Sequence, residues 1–435
     1  MYRKAVLDNG LRILTSAMPH TRSVGIGFFI GVGSRYEMDE QGGASHFIEH
    51  MLFKGTEKRP TAKDIAMAIE GIGGVFNAST GRETTVYYAK VAQPHLVVAM
   101  DVLVDMLLHA KFDPKEIEKE RRVIIEEINM VLDIPDHWVH LLINELVWPH
   151  HPLGRDVAGT KESVNSLSRE TLFTHLRQHY VPTNTVVSVA GNIDHEAMVE
   201  YIAACLNSWG EDATTAGERG SFQPAENGST EPHLCVRYRD TEQAHLCFSV
   251  PGLAHAHPDR FNLRLLNTIL GEGMSSRLFQ EVREQQGLAY SINSYVNSFH
   301  DTGTMGVYAG VAPGRFEAAV KAILRELDRL RQETVPVEEL IKAKEFVKGR
   351  LLLQMEDTFS VAAWFGRQEL LLPEILTVDD VVAAIDAVSA DDVQRVAQEL
   401  FHEEKLHLAV VGPFPEGGAE EGASIEDDFK KLLQL

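Results

Sequence analysis

Close to the middle of the chain, residues 209–232 read WGEDATTAGERGSFQPAENGSTEP, rich in Gly, Ser, Thr, Glu and Pro and poor in apolar side chains. A stretch of this composition buries too little apolar surface to hold a fixed packed place, so it reads as an exposed linker. It divides the 435 residues into two parts, each of about 200 residues, a size that one hydrophobic core supports. Two domains are expected, residues 1–212 and 233–435, joined by a polar linker at 213–232.

The two parts share an order of signals, which suggests duplication. Each closes on an apolar strand, at 186–192 and 406–412, preceded by an amphipathic helix at 169–180 and 390–402. Earlier in each comes a strand, a long helix, a glycine-containing turn and a pair of strands, from Ser23 to Val91 and from Ala244 to Gly310. Asn9-Gly10 between alternating segments marks a tight hairpin, and Ser23 to Val32 is an apolar run of strand length. Thr61, with Asp64 three residues on, forms a capping box for a helix ending at Gly73-Gly74. Asp113-Pro114-Lys115-Glu116 opens another, with Asp as cap and Pro in the first turn. Hairpins mixed with helices specify an α+β fold: two homologous domains, each a mainly antiparallel sheet packed against helices.

Charge excludes several functions. The formal net charge is −22, which argues against a nucleic-acid partner and against docking on an anionic membrane; an acidic surface collects basic ligands instead. No run approaches the ~18 apolar residues of a membrane span. The first ten residues, MYRKAVLDNG, lack the apolar core of a signal peptide. Three scattered cysteines, Cys205, Cys235 and Cys247, form neither a disulfide framework nor a C-x-x-C site. The expectation is a soluble cytoplasmic protein with reduced thiols.

The sharpest chemical signal is His46-Phe47-Ile48-Glu49-His50. On a helix, residues four apart share a face, so both imidazoles can point at one metal ion. Glu49, three after His46, lies on the same side and can reach a water held there. A zinc ion in a hydrolase needs a third protein ligand and an open position. The helix opening at Pro114 carries an apolar stripe of Ile117, Ile124, Ile128 and Val131. Glu120 and Glu127 lie within about 90° of its centre, whereas Glu126 points almost opposite. Carboxylates beside a core-facing stripe are costly unless paired. A metal-ligating or ligand-orienting role therefore suits Glu120 and Glu127, and a solvated acidic face suits Glu126 and Glu118. Elsewhere, His150-His151 reads as part of a turn, His233 and His245 flank a strand as structural residues, and Met51, Leu52 and Phe53 fall at core positions.

Together these motifs resemble the inverzincin peptidases, the family of pitrilysin, insulin-degrading enzyme and the mitochondrial processing peptidase. In that family a liganding Glu follows H-x-x-E-H at a characteristic distance, matched here by the 76 residues between His50 and Glu127. Glu120 matches a further acid seven residues earlier. Residues 77–88, NASTGRETTVYY, resemble the family strand N-A-x-T-x-x-E-x-T-x-Y that receives substrate backbone, which implies substrate-binding roles for Asn77 and Ala78. GEGMSSRLF at 271–279 resembles the glycine-rich segment, and Arg283 and Tyr290 resemble the substrate-holding pair. The similarity runs over nearly the whole chain, and the length resembles the single-subunit, processing-peptidase-like branch.

The resemblance implies a zinc-dependent metalloendopeptidase acting on peptides or unfolded polypeptide in a closed chamber. Zn2+ would be held by His46, His50 and Glu127, with Glu49 as general base and Glu120 orienting a ligand. Arg283 and Tyr290 would act in catalysis by holding substrate carbonyls or the developing oxyanion. A homodimer with shared active sites is also implied, because in the family the Arg/Tyr pair comes from the half opposite the zinc. The family's other function class is a catalytically silent scaffold or partner subunit. Those relatives usually lose part of the zinc motif, which this chain keeps.

Overall fold

A computed structural model describes residues 2–210, 222–225 and 233–414. In chain order the first part forms β1 (Tyr2–Val6), β2 (Arg12–Ala17), β3 (Ser23–Ile30), α1 (Ala44–Leu52), α2 (Ala62–Glu70), β4 (Val75–Thr80) and β5 (Thr85–Ala92). There follow α3 (Leu96–His109), α4 (Pro114–Asp133), α5 (Pro135–Val147), α6 (Lys161–Ser166), α7 (Arg169–His179), β6 (Thr185–Gly191) and α8 (His195–Leu206). The second part forms β7 (Leu234–Tyr238), β8 (Ala244–Pro251), α9 (Arg260–Gly271), β9 (Ala289–Ser298), β10 (Gly303–Val311), α10 (Phe316–Gln332) and α11 (Val337–Gln354). It ends with α12 (Thr358–Leu371), α13 (Val378–Ala387), α14 (Ala390–Leu400) and β11 (His407–Gly412).

Local chemistry sets these boundaries. Gly10 takes φ +87° in the β1–β2 turn, a region open to glycine. The Thr61–Asp64 capping box forms, and α2 stops at Gly71, two residues short of the expected Gly73-Gly74. α4 starts at Pro114, with Asp113 Oδ1 accepting from the Lys115 amide at 2.8 Å. Ser168 caps α7, and Ser389 with Asp392 forms a capping box on α14. The His150-His151 turn is present, with the His151 ring accepting from the Leu153 amide at 3.1 Å.

Duplication is written in the strand order. One sheet runs β1-β2-β6-β3-β5-β4 and the other β7-β11-β8-β10-β9. Apart from β1 the two orders correspond: β2 is parallel to β6 as β7 is to β11, and every other neighbouring pair is antiparallel.

The compact units, however, are not the contiguous halves 1–212 and 233–435. One unit comprises residues 1–128, 156–223 and 351–377, and the other 129–155, 224–350 and 378–435. The expected linker at 213–232 lies outside the described residues except at 222–225, and the division falls at Gln223. The physical reason is burial. In the first unit, Val361, Ala362 and Phe365 of α12 pack on Leu14, Phe29, Val86 and Val186 of the first sheet. Each of the larger side chains, such as Val361 and Phe365, gains about 1.5–3 kcal/mol on leaving water. Two glycines permit the close approach: a Cβ on Gly25 would stand 2.6 Å from Phe359 Cα, and one on Gly366 2.4 Å from Phe29 Cδ2. In the second unit, Val139, Leu142 and Ile143 of α5 pack on Cys247, Ala409 and Val411 of the second sheet. Each sequence half thus contributes a helix to the other's sheet, which contiguous segmentation cannot reveal.

Among the described residues no helix is long and apolar enough to cross a membrane.

Candidate metal centre

α1 begins after Gly43, at φ +91°, where a Cβ would stand 2.4 Å from the Ala158 carbonyl oxygen. Its first-turn amides have no partner from the N-cap side chain, and the buried Glu37 carboxylate replaces it. Glu37 Oε2 accepts from the Gly43 amide at 2.8 Å and Oε1 from the Ser45 amide at 2.7 Å. Ser45 Oγ lies 3.1 Å from His175 Nε2 on α7. Phe47, Ile48, Met51 and Leu52 are buried, which fixes the rotation of the helix and directs His46, Glu49 and His50 to its other side.

α4 supplies the third group. Ile117, Ile124 and Ile128 are buried as the stripe requires, Glu120 is buried with them, Glu127 is half-buried and Glu126 is exposed. His46 Nε2 and His50 Nε2 lie 3.8 and 3.6 Å from Glu127 Oε2. Ligand atoms of these three residues all fall within 4.8 Å of one another. Adjacent ligand atoms of a tetrahedral zinc site with bonds of ~2.0–2.1 Å are separated by about 3.4 Å. Two imidazoles and a carboxylate at this spacing fit zinc in kind and in distance.

Surrounding groups prepare the ligands. Glu120 Oε2 lies 3.0 Å from His50 Nδ1, and Oε1 lies 2.7 Å from Lys54 Nζ. With Nδ1 donating to Glu120, His50 presents Nε2 as its lone-pair nitrogen. Burial works to raise the Glu120 carboxyl, yet the contacts with His50 and Lys54 hold it below its ordinary value. Burial, with His50 adding to it, lowers His46 to about 4. At neutral pH His46 therefore carries no proton on its lone-pair nitrogen, the form a metal requires. Glu49 is raised by burial, against the opposing hydrogen bond from Thr80. That bond, from Thr80 Oγ1 to Glu49 Oε2, measures 2.5 Å.

Asn77 and Ala78 lie on β4, the edge strand of the first sheet, which pairs on one side with β5. The Ala78 amide donates to Asn77 Oδ1 at 2.9 Å. In the second unit, Arg283 sits on a π-helical turn, Phe279–Gln285, just before β9. Its guanidinium carbon lies 4.7 Å from the Phe279 ring centroid and 5.6 Å from that of Tyr290, a residue 74% exposed. The structure thus brings Arg283 and Tyr290 together as a pair. The glycine-rich segment before them is a joint: Gly273 takes φ +89°, and Arg277 binds Glu339 through two nitrogens at 3.0 and 2.8 Å. Three contributors escaped sequence reasoning, namely Glu37, Lys54 and Thr80. Of these, Thr80 falls within the N-A-x-T segment, while Glu37 and Lys54 sit in irregular segments without periodicity.

Duplicated sheet-and-helix units with a His-His-Glu cluster beside an inverted zinc motif define a class of metalloprotease-like chains. Residues 12–161 match the family described as Insulinase (Peptidase family M16), and residues 166–347 match Peptidase M16 inactive domain. The Bacillus subtilis protein named uncharacterized zinc protease YmxG is 38% identical over 95% of this chain and 98% of its own length. A Streptomyces coelicolor protein, also named an uncharacterized zinc protease, is 40% identical over 94% and 89%. The chain belongs to peptidase family M16. Solved structures show the same fold. A protease from Helicobacter pylori gives a TM-score of 0.90 at 22% identity, covering 95% of this chain and 99% of that one. A chain of complex III2 from Candida albicans gives 0.81 at 22%, covering 99% of each.

Proposed function

We propose that this chain is a zinc-dependent metalloendopeptidase that hydrolyses peptides or unstructured segments. The observation that carries this reading is the convergence of His46, His50 and Glu127, with Glu49 on the same helix face beside β4, the edge strand among the described residues. Zinc held by the three ligands supplies Lewis-acid polarisation of the scissile carbonyl and of water. Glu49 takes the proton of the attacking water on a carboxylate oxygen and gives it to the leaving amine. Glu120 holds His50 in the tautomer whose Nε2 lone pair is available. A peptide backbone lies along β4 by strand addition at Asn77 and Ala78, a docking mode open to an unpaired edge. Arg283 and Tyr290 hold substrate carbonyls or the developing oxyanion.

We extend the reading to a two-fold homodimer in which Arg283 and Tyr290 of the partner subunit complete each site. A cytoplasmic setting accords with three cysteines that form no disulfide. Retention of all three ligands and the base favours the enzyme over a catalytically silent scaffold or partner subunit. Zinc analysis of the purified chain, coupled to mass-spectrometric digestion of a diverse peptide library, decides between them. The proposal expects one zinc per chain and chelator-sensitive cleavage. A zinc-loaded chain that cleaves nothing in the library would favour the scaffold instead.

A further inference from the structure

We propose that Thr80 is a positioning residue for the Glu49 carboxylate, holding its Oε2 from the inner face of edge strand β4. The inference rests on the reading of Glu49 as general base. Three observations carry it. First, the hydroxyl is aimed at the base: Thr80 Oγ1 donates to Glu49 Oε2 at 2.5 Å. Burial alternates along β4, with Phe76, Ala78 and Thr80 on the half-buried face and Val75, Asn77 and Ser79 exposed. The hydroxyl therefore reaches Glu49 from the face opposite the exposed side chains.

Second, Thr80 is itself held. It is the last residue of β4, opposite Thr85, and the next residue closes the turn, with the Gly81 amide donating to the Thr84 carbonyl at 2.8 Å. The segment before α1 grips this turn. The Ser34 amide donates to the Gly81 carbonyl at 3.2 Å, the Arg35 amide to the Arg82 carbonyl at 2.9 Å, and the buried Arg35 side chain pairs with Glu83 at 2.6 Å. Glu37, two residues after Arg35, caps α1. The turn carrying Thr80 and the helix carrying Glu49 are thus fastened to one short segment, which sets the distance between hydroxyl and carboxylate.

Third, the base needs such a restraint. A Glu side chain has three rotatable bonds, and a charge-assisted hydrogen bond to one of its oxygens narrows the orientations open to the carboxylate. Because β4 is the strand on which a peptide is proposed to lie, the same element that receives the substrate orients the base that acts on it.

Steady-state cleavage of a quenched peptide by the zinc-loaded full chain, its Glu49→Gln variant, Thr80→Val and Thr80→Ser tests this. Val keeps the shape and strand preference of Thr and removes the hydroxyl; Ser keeps the hydroxyl. The expected result is a kcat about 10- to 100-fold lower for Thr80→Val, with KM within about twofold and zinc content unchanged, and recovery of most of kcat in Thr80→Ser. Wild-type kcat in Thr80→Val, alongside an inactive Glu49→Gln, would overturn the positioning role and leave the general base intact. A defect confined to Thr80→Ser would overturn it in favour of packing by the methyl group, and zinc loss in Thr80→Val would assign Thr80 to the metal site instead. Full activity in Glu49→Gln would remove the reading beneath the proposal. Should Thr80→Val fail to fold, Thr80→Ala against Thr80→Ser gives the same comparison.

Discussion

Two neighbouring glutamates have opposite fates. Glu126 and Glu127 are adjacent on α4, yet one is exposed and the other meets both histidines. Glu127→Gln is expected to lose most of its zinc in dialysis against a weak chelator, while Glu126→Gln retains it. Equal loss from both would reject the choice of ligand. Two further histidines set a pH limit. His175 is lowered to about 3 by burial and then by His179, and His179 to about 4 by burial. Both fold without a proton, whereas the unfolded chain takes one up on each below the ordinary value of 6.5. Their contribution is complete above pH 6.5 and is lost as pH falls from there towards 4, at up to about 1.4 kcal/mol per pH unit per histidine. Urea titrations at pH 7 and pH 5 should show a lower midpoint at pH 5, and His175→Gln should flatten the difference. An unchanged midpoint would contradict the burial.

At the scale of elements, two helices lie on sheets to which their sequence positions do not assign them. Phe365→Ala on α12 should cost about 3–5 kcal/mol in local packing. In hydrogen exchange it should loosen β2, β3, β5 and β6, whose side chains share its apolar cluster, and leave β8 and β11 protected. Ile143→Ala on α5 should do the reverse. The opposite pattern would restore the contiguous halves. Elements themselves were readable: the capping boxes at Thr61 and the start at Pro114 follow from local hydrogen bonding that the sequence states outright. So was the H-x-x-E-H helix with its glutamates, because helical period alone separates Glu120 and Glu127 from Glu126. The exchange of α5 and α12 was hidden, since an amphipathic helix advertises an apolar face and not the sheet that will cover it. Glu37 and Thr80 were hidden for a related reason. Each acts on residues brought near only by tertiary folding, and neither breaks a local pattern.

For the whole molecule, the proposed assembly predicts complementation. Glu49→Gln chains and Arg283→Ala chains, each nearly inactive alone, are unfolded and reassembled together. If each site takes its Arg/Tyr pair from the partner subunit, every mixed dimer holds one intact site. With random pairing, activity should return to roughly a quarter of the unaltered enzyme. No recovery would show that the pair serves its own chain. The centre beneath all of these claims is the metal. A crystal structure of the zinc-soaked chain, with anomalous differences recorded at the zinc edge, tests it most directly. The account predicts one strong peak per chain, at about 2.0–2.2 Å from His46 Nε2, His50 Nε2 and a Glu127 oxygen. A peak elsewhere, or none at that position in zinc-saturated crystals, would contradict it.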